Sequence, residues 1–161
     1  ASNQGEGRII GSTVVVMLAV GMRCAAIWAG DSRLYQYRNG ALTQLTHDHS
    51  LMTELSQQGI TAEEALDAEK AANIVTRALG ADPDLSLDVA TFEAERGDLY
   101  MLCSDGLVKE ATDREIEDLL RQEAYHDSAR HLIELALQRG ARDNVTVVVA
   151  HASNTGSSRS C

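Results

Sequence analysis

The sequence predicts an α+β fold in which helices pack on antiparallel β-sheet, and three observations carry that expectation. Apolar, β-branched runs recur with turn signals between them: "GSTVVVMLAV" from Gly11, "MRCAAIWAG" from Met22 and "RLYQYRNGALTQLT" from Arg33. Two helical patterns then follow one another, each with one apolar face, and "DNVTVVVAHA" near the end returns to a β-branched strand. With 161 residues, 44% hydrophobic and 24% charged, one domain with a real core is the default.

The first run is continuous and reads as a strand buried on both faces, forming a hairpin with the second across Gly21. Asn39-Gly40 is a strong signal for a second hairpin, so the first third reads as an antiparallel meander. Ser50 is placed to cap "LMTELSQQG", and Thr61 with Glu64 forms a capping box for a short helix through Ala68. "NIVTRALG" and "LSLDVATFEA" read as strands on either side of Pro83. Thr112 with Glu115 is another capping box, and Asp127 is placed to cap "SARHLIELALQRG", which ends at Gly140. Aromatics are only 4%, so Val, Ile, Leu and Ala are expected to fill the core.

Composition excludes several classes. A net charge of −10 leaves no basic stripe to displace counterions, so nucleic-acid and anionic-membrane binding are not expected. No apolar run is long enough to span a membrane and the start lacks a signal-peptide pattern, which suggests a cytoplasmic protein. The cysteines Cys24, Cys103 and Cys161 are odd in number and widely spaced, which suits neither a disulfide framework nor zinc.

Three aspartates abut strand ends: Asp31 in "WAGDSR", Asp105 in "LCSDGL" and Asp143 in "ARDNVTVVV". Carboxylates gathered on one rim must protonate or share cations, and hard oxygen ligands suit Mg²⁺ or Mn²⁺. Taken singly, each is an ordinary turn or cap dipeptide. "THDHS" offers His47 and His49 around Asp48, but without a third partner at metal-ligand spacing a polar loop is the simpler reading. Ser32 resembles an esterase nucleophile, yet the Asp-x-x-His pair that this needs is absent near the C-terminus. Arg33 suits a phosphate, although an arginine beside an aspartate on a sheet rim more often pairs with a carboxylate.

In their order, "GDSR", "NIVTRALG", "CSDGL" and "DNVTVVV" resemble the bacterial type 2C (PPM) family of metal-dependent serine/threonine protein phosphatases, from Gly11 to about Ala152. The resemblance implies an antiparallel β-sandwich flanked by helices, with the family's N-terminal part missing, in a partial domain over residues 1–152. It implies a flap at about residues 50–72 beside the active site; the polar tail 153–161 is expected to be disordered. Asp105 and Asp143 are implied as ligands of a catalytic metal, and Asp31 as ligand of a third, weaker ion shared with Asp105. No catalytic residue beyond these ligands is implied; His49, Ser50 and Arg33 fall in the flap or substrate region. The implied chemistry is hydrolysis of phosphoserine and phosphothreonine by a metal-bridged water, with two catalytic Mg²⁺ or Mn²⁺ ions. Substrates would be phosphorylated Ser/Thr proteins, with a Ser/Thr kinase as the opposing partner.

The family's "DGMGGH"-type segment, whose aspartate bridges both metals, is absent from these residues. This chain alone is therefore expected to be inactive or weakly active. The competing reading is a non-catalytic pseudophosphatase or interaction module that keeps the fold.

Overall fold

The computed structural model describes residues 11–59, 70, 74–80, 85–122 and 124–153. Among the described residues, seven strands form two antiparallel sheets. The three-stranded sheet has the order β1 (Val14–Val20), β2 (Arg23–Ala29), β5 (Asp88–Glu93). The four-stranded sheet has the order β4 (Ala41–Gln44), β3 (Arg33–Arg38), β6 (Leu99–Cys103), β7 (Val147–His151). Helix α1 (Leu51–Gln57) follows β4, and α2 (Asp105–Val108), α3 (Asp113–Gln122) and α4 (Tyr125–Gln138) lie between β6 and β7.

The alternation of side chains along the four-stranded sheet builds two cores. Leu34 on β3 and Tyr100 on β6 turn toward the other sheet, where they pack with Cys24, Ala26, Trp28 and Ala94. Their neighbours Tyr35, Met101 and Cys103 face the opposite way and pack with Leu107, Ile116, Leu120 and Leu132 of the helices. The layers are therefore sheet, sheet, helices, which is the helix-flanked sandwich expected above. Tyr35 and Tyr100 are among the largest fully buried side chains, so aliphatics do not fill the core alone. Cys24 and Cys103 are buried and free.

Local expectations fare unevenly. The hairpin β1/β2 pairs Val20 with Arg23 across Gly21, and β3/β4 closes at Asn39 and Gly40, both with positive φ as a tight twisted turn requires. These hairpins do not form one meander, because the chain leaves the first sheet at Gly30 and joins the other at Arg33. Strand β1 is not buried on both faces: Leu18 is 53% and Val20 83% exposed, and among the described residues it pairs with β2 alone.

Residues 74–80 form no strand but touch the fold by two isolated bridges, Ser12 with Leu79 and Ser50 with Val75. The run "LSLDVATFEA" is strand only over Asp88–Glu93. Ser50 caps α1, accepting from Thr53 N–H at 3.2 Å, and the Thr112/Glu115 capping box closes in both directions. Asp127 is not a cap. Helix α4 begins two residues earlier, with Ala124 at its N-cap, which places Asp127 in the first turn where its charge still suits the helix dipole. The expected helix from Thr61 and the tail after Ser153 lie outside the described residues.

Candidate metal centre

The rim where strands end is built by three local devices. The first is the link between sheets, Gly30-Asp31-Ser32. Gly30 has φ of +109°, and a Cβ there would lie 2.3 Å from Thr13 Cγ2, so only glycine fits. Its N–H donates to His49 Nδ1 at 3.1 Å, and its carbonyl accepts from the His49 backbone N–H at 2.9 Å. His49 is 4% exposed and thereby pins the residue that precedes Asp31. Ser32 bonds Thr13 through the two hydroxyls at 2.9 Å.

The second device is the end of β6. Ser104 Oγ donates to Asn144 O and accepts from Thr146 N–H, both at 3.0 Å, which ties this end to the approach of β7. The chain then turns at once into α2, led by Asp105. Gly106 is needed for closeness rather than for unusual dihedrals: a Cβ would lie 2.4 Å from the Asn144 carbonyl oxygen. The third device is a pair of crossed ion pairs, Lys109 Nζ with Asp143 Oδ2 at 3.0 Å and Arg142 Nε with Glu110 Oε1 at 2.9 Å.

Asp31, Arg33, Asp48, Ser50 and Asp105 line one cleft of about 300 Å³, together with Met52, Thr53, Val108 and Lys109. Burial pushes the Asp31 carboxyl above its ordinary range, and the charge of Asp105 adds to this. Asp143 stands beside that cleft and is joined to Asp105 through Lys109, whose ammonium contacts both carboxylates. The Lys109 pKa is raised by the bond to Asp105 and then by that to Asp143; Lys109 and the Asn144 N–H in turn hold Asp143 below the usual carboxylate range. A donor set made only of carboxylates, already gathered around a positive charge, fits a hard divalent cation.

Arg33 reaches the same cleft but is committed to Asp48, with Nε at 2.9 Å and Nη2 at 2.7 Å, while Nη1 donates to Tyr35 Oη at 2.8 Å. Burial opposes its charge, yet these bonds outweigh burial and raise its pKa.

His47 and His49 do find a third partner, Asp88, which spacing alone did not reveal. Their Nε2 atoms lie 2.9 and 3.2 Å from Asp88 Oδ2, and Arg77 Nη1 takes Oδ1 at 2.8 Å. Because His49 Nδ1 accepts from Gly30, its proton sits on Nε2 and points at Asp88, so the trio bonds within itself. Sequence reasoning also missed Lys109; its signal was an i,i+4 spacing from Asp105.

Residues 13–153 match the family model described as stage II sporulation protein E (SpoIIE). The chain is 41% identical over 142 residues to the serine/threonine protein phosphatase PstP of Mycobacterium tuberculosis, covering 88% of this chain and 27% of that protein. The chain belongs to the type 2C (PPM) phosphatase family. Among solved structures, it superposes on PppA, described as a key regulatory component of the type VI secretion system in Pseudomonas aeruginosa, with a TM-score of 0.79 and 40% identity, covering 89% of this chain and 59% of that one. It superposes on the PstP catalytic domain in complex with two manganese ions with a TM-score of 0.77 and 38% identity, covering 89% and 60%. The chain thus spans about 60% of those solved phosphatase chains and about a quarter of the full mycobacterial protein. Among the described residues, no helix is long and apolar enough to cross a membrane.

Proposed function

We propose that the protein carrying this chain is a Mg²⁺- or Mn²⁺-dependent phosphatase that removes phosphate from serine and threonine in proteins. The observation that carries this reading is the arrangement of Asp31 and Asp105 in one cleft, with Asp143 brought to Asp105 through a shared cation, Lys109. Asp105 and Asp143 would hold a catalytic ion, and Asp31 with Asp105 a weaker one. When bound, such ions supply a water acidic enough to attack at neutral pH and neutralise the phosphoryl oxygens.

The chain's own residues orient these ligands. His49 fixes Gly30 and so the direction of Asp31, while Ser104 and Gly106 hold Asp105 against the backbone that carries Asp143. Arg33, kept in place by Asp48, and Ser50, which caps α1, form the wall that a phosphopeptide meets, and the segment at about residues 50–72 selects among substrates. The cellular counterpart is a cytoplasmic Ser/Thr kinase that installs the same phosphates.

The test is Mn²⁺-dependent hydrolysis of p-nitrophenyl phosphate and of a phosphothreonine peptide by the full-length protein. Asp105→Asn should abolish turnover on both substrates. Full activity in that variant would remove the metal assignment.

A further inference from the structure

We propose that Lys109 is a tethered cation that occupies the metal-binding carboxylates of this chain and sets how tightly they take a divalent ion. The inference rests on the metal reading above and concerns a residue outside the proposed ligand set. Lys109 lies one helical turn beyond Asp105, so its side chain lies back over that carboxylate, and the same ammonium reaches Asp143 at 3.0 Å.

The lysine is held there from its own backbone. Its N–H donates to the Asp105 carbonyl at 3.0 Å, and its carbonyl accepts from Arg142 Nη2 at 3.4 Å. Glu110 and Arg142 form the neighbouring ion pair, so the two acidic-basic pairs cross between the end of α2 and the loop before β7. Two consequences follow from charge alone. With Lys109 in place, the loop that carries Asp143 stays latched to Asp105 without any metal. A divalent ion that takes oxygens of both aspartates must first displace the ammonium, and it then meets a residual positive charge nearby.

Removing the charge should therefore make the metal-free protein weaker and its metal binding stronger. The experiment titrates Mn²⁺ calorimetrically into the full-length protein and four variants, Lys109→Met, Lys109→Gln, Lys109→Arg and Asp105→Asn, and records the melting temperature of each with and without Mn²⁺. Both neutral variants should bind Mn²⁺ roughly three- to tenfold tighter, the size expected for losing two half-exposed ion pairs. They should also melt lower than wild type without metal and gain more from adding it. Lys109→Arg should stay close to wild type. Lys109→Gln serves where the methionine variant does not fold.

Unchanged or weaker Mn²⁺ binding in the neutral variants, with binding still reduced by Asp105→Asn, would overturn the role of Lys109 and leave the metal reading standing. Mn²⁺ binding unaffected by Asp105→Asn would remove the metal reading and this proposal with it.

Discussion

The His49 imidazole is buried between Gly30 and Asp88, and burial pushes its pKa below the usual histidine value of 6.5. A depressed folded value means that the unfolded chain takes up the proton first. The stability contributed by neutral His49 is therefore complete above about pH 6.5 and is lost as pH falls through the lower folded value. Replacing His49 by Phe keeps a ring beside Trp28 but strands the buried Gly30 N–H, at a cost of about 1–3 kcal/mol. Urea unfolding of the full-length protein from pH 8 to 5 checks both: wild type should weaken as pH drops, and the His49→Phe variant should start lower with a flatter profile. Little of this was legible beforehand. "THDHS" shows two imidazoles around a carboxylate, but Asp48 turns to Arg33 and the partner of both histidines lies on β5, 39 residues from His49. Lys109 was equally silent, since an i,i+4 Asp-Lys spacing is common on exposed helices.

At the scale of elements, what the chain encodes within a few residues was readable. The Asn39-Gly40 turn, the Ser50 cap and the Thr112/Glu115 box each form where their side chains dictate. Thr112→Val should cost about 1 kcal/mol by removing a cap from α3. Glu115 in that box also pairs with Arg139 at the end of α4, and chiefly this bond holds its carboxyl down at about 2 against an ordinary 4.5. The contribution is present above pH 4.5 and lost as pH falls through about 2, so Arg139→Gln should reduce the melting temperature at pH 6 and reduce it progressively less as pH is lowered from 4.5 toward 2. Non-local choices were not readable. "NIVTRALG" has the composition of a strand, yet over residues 74–80 it makes only isolated bridges, to Ser12 before β1 and to Ser50 before α1, and joins neither sheet. Gly106 likewise looked like a turn glycine, whereas its reason is a carbonyl 38 residues away. Gly106→Ala should push the Asn144 backbone off, parting Asp105 from Asp143, and should weaken Mn²⁺ binding more than it lowers the melting temperature.

At the scale of the whole molecule, the sandwich was legible only through the order of its motifs, since nothing in a hairpin states which sheet it joins. Arg38 on β3 helps decide this: it donates to the Glu93 carbonyl at the end of β5, pairs with Glu95, and holds Asp98 through Nε at 2.9 Å and Nη2 at 2.6 Å. Asp98 is 2% exposed and also takes bonds from Tyr100 Oη and Glu95 N–H. Asp98→Ala leaves Arg38, among the described residues, with only the exposed Glu95 as its ion-pair partner and strands the Tyr100 hydroxyl and the Glu95 N–H, which should cost about 2–3 kcal/mol in chemical denaturation; a cost under about 1 kcal/mol would show that the sheets do not depend on this tie. The link Gly30-Asp31-Ser32 has a further consequence. Asp31 lies on the passage between the sheets, while Asp105 follows β6 and Asp143 lies on the loop that leads into β7, so their spacing records how one sheet sits on the other. Divalent ions held between Asp31 and Asp105 and between Asp105 and Asp143 would then act as rivets through the joint of the two sheets. Amide hydrogen exchange at the ends of β2 and β3 away from Asp31, around residues 23–25 and 36–38, should then slow on adding Mn²⁺; exchange there that ignores the metal would mean that the ions bind without tightening the sheets.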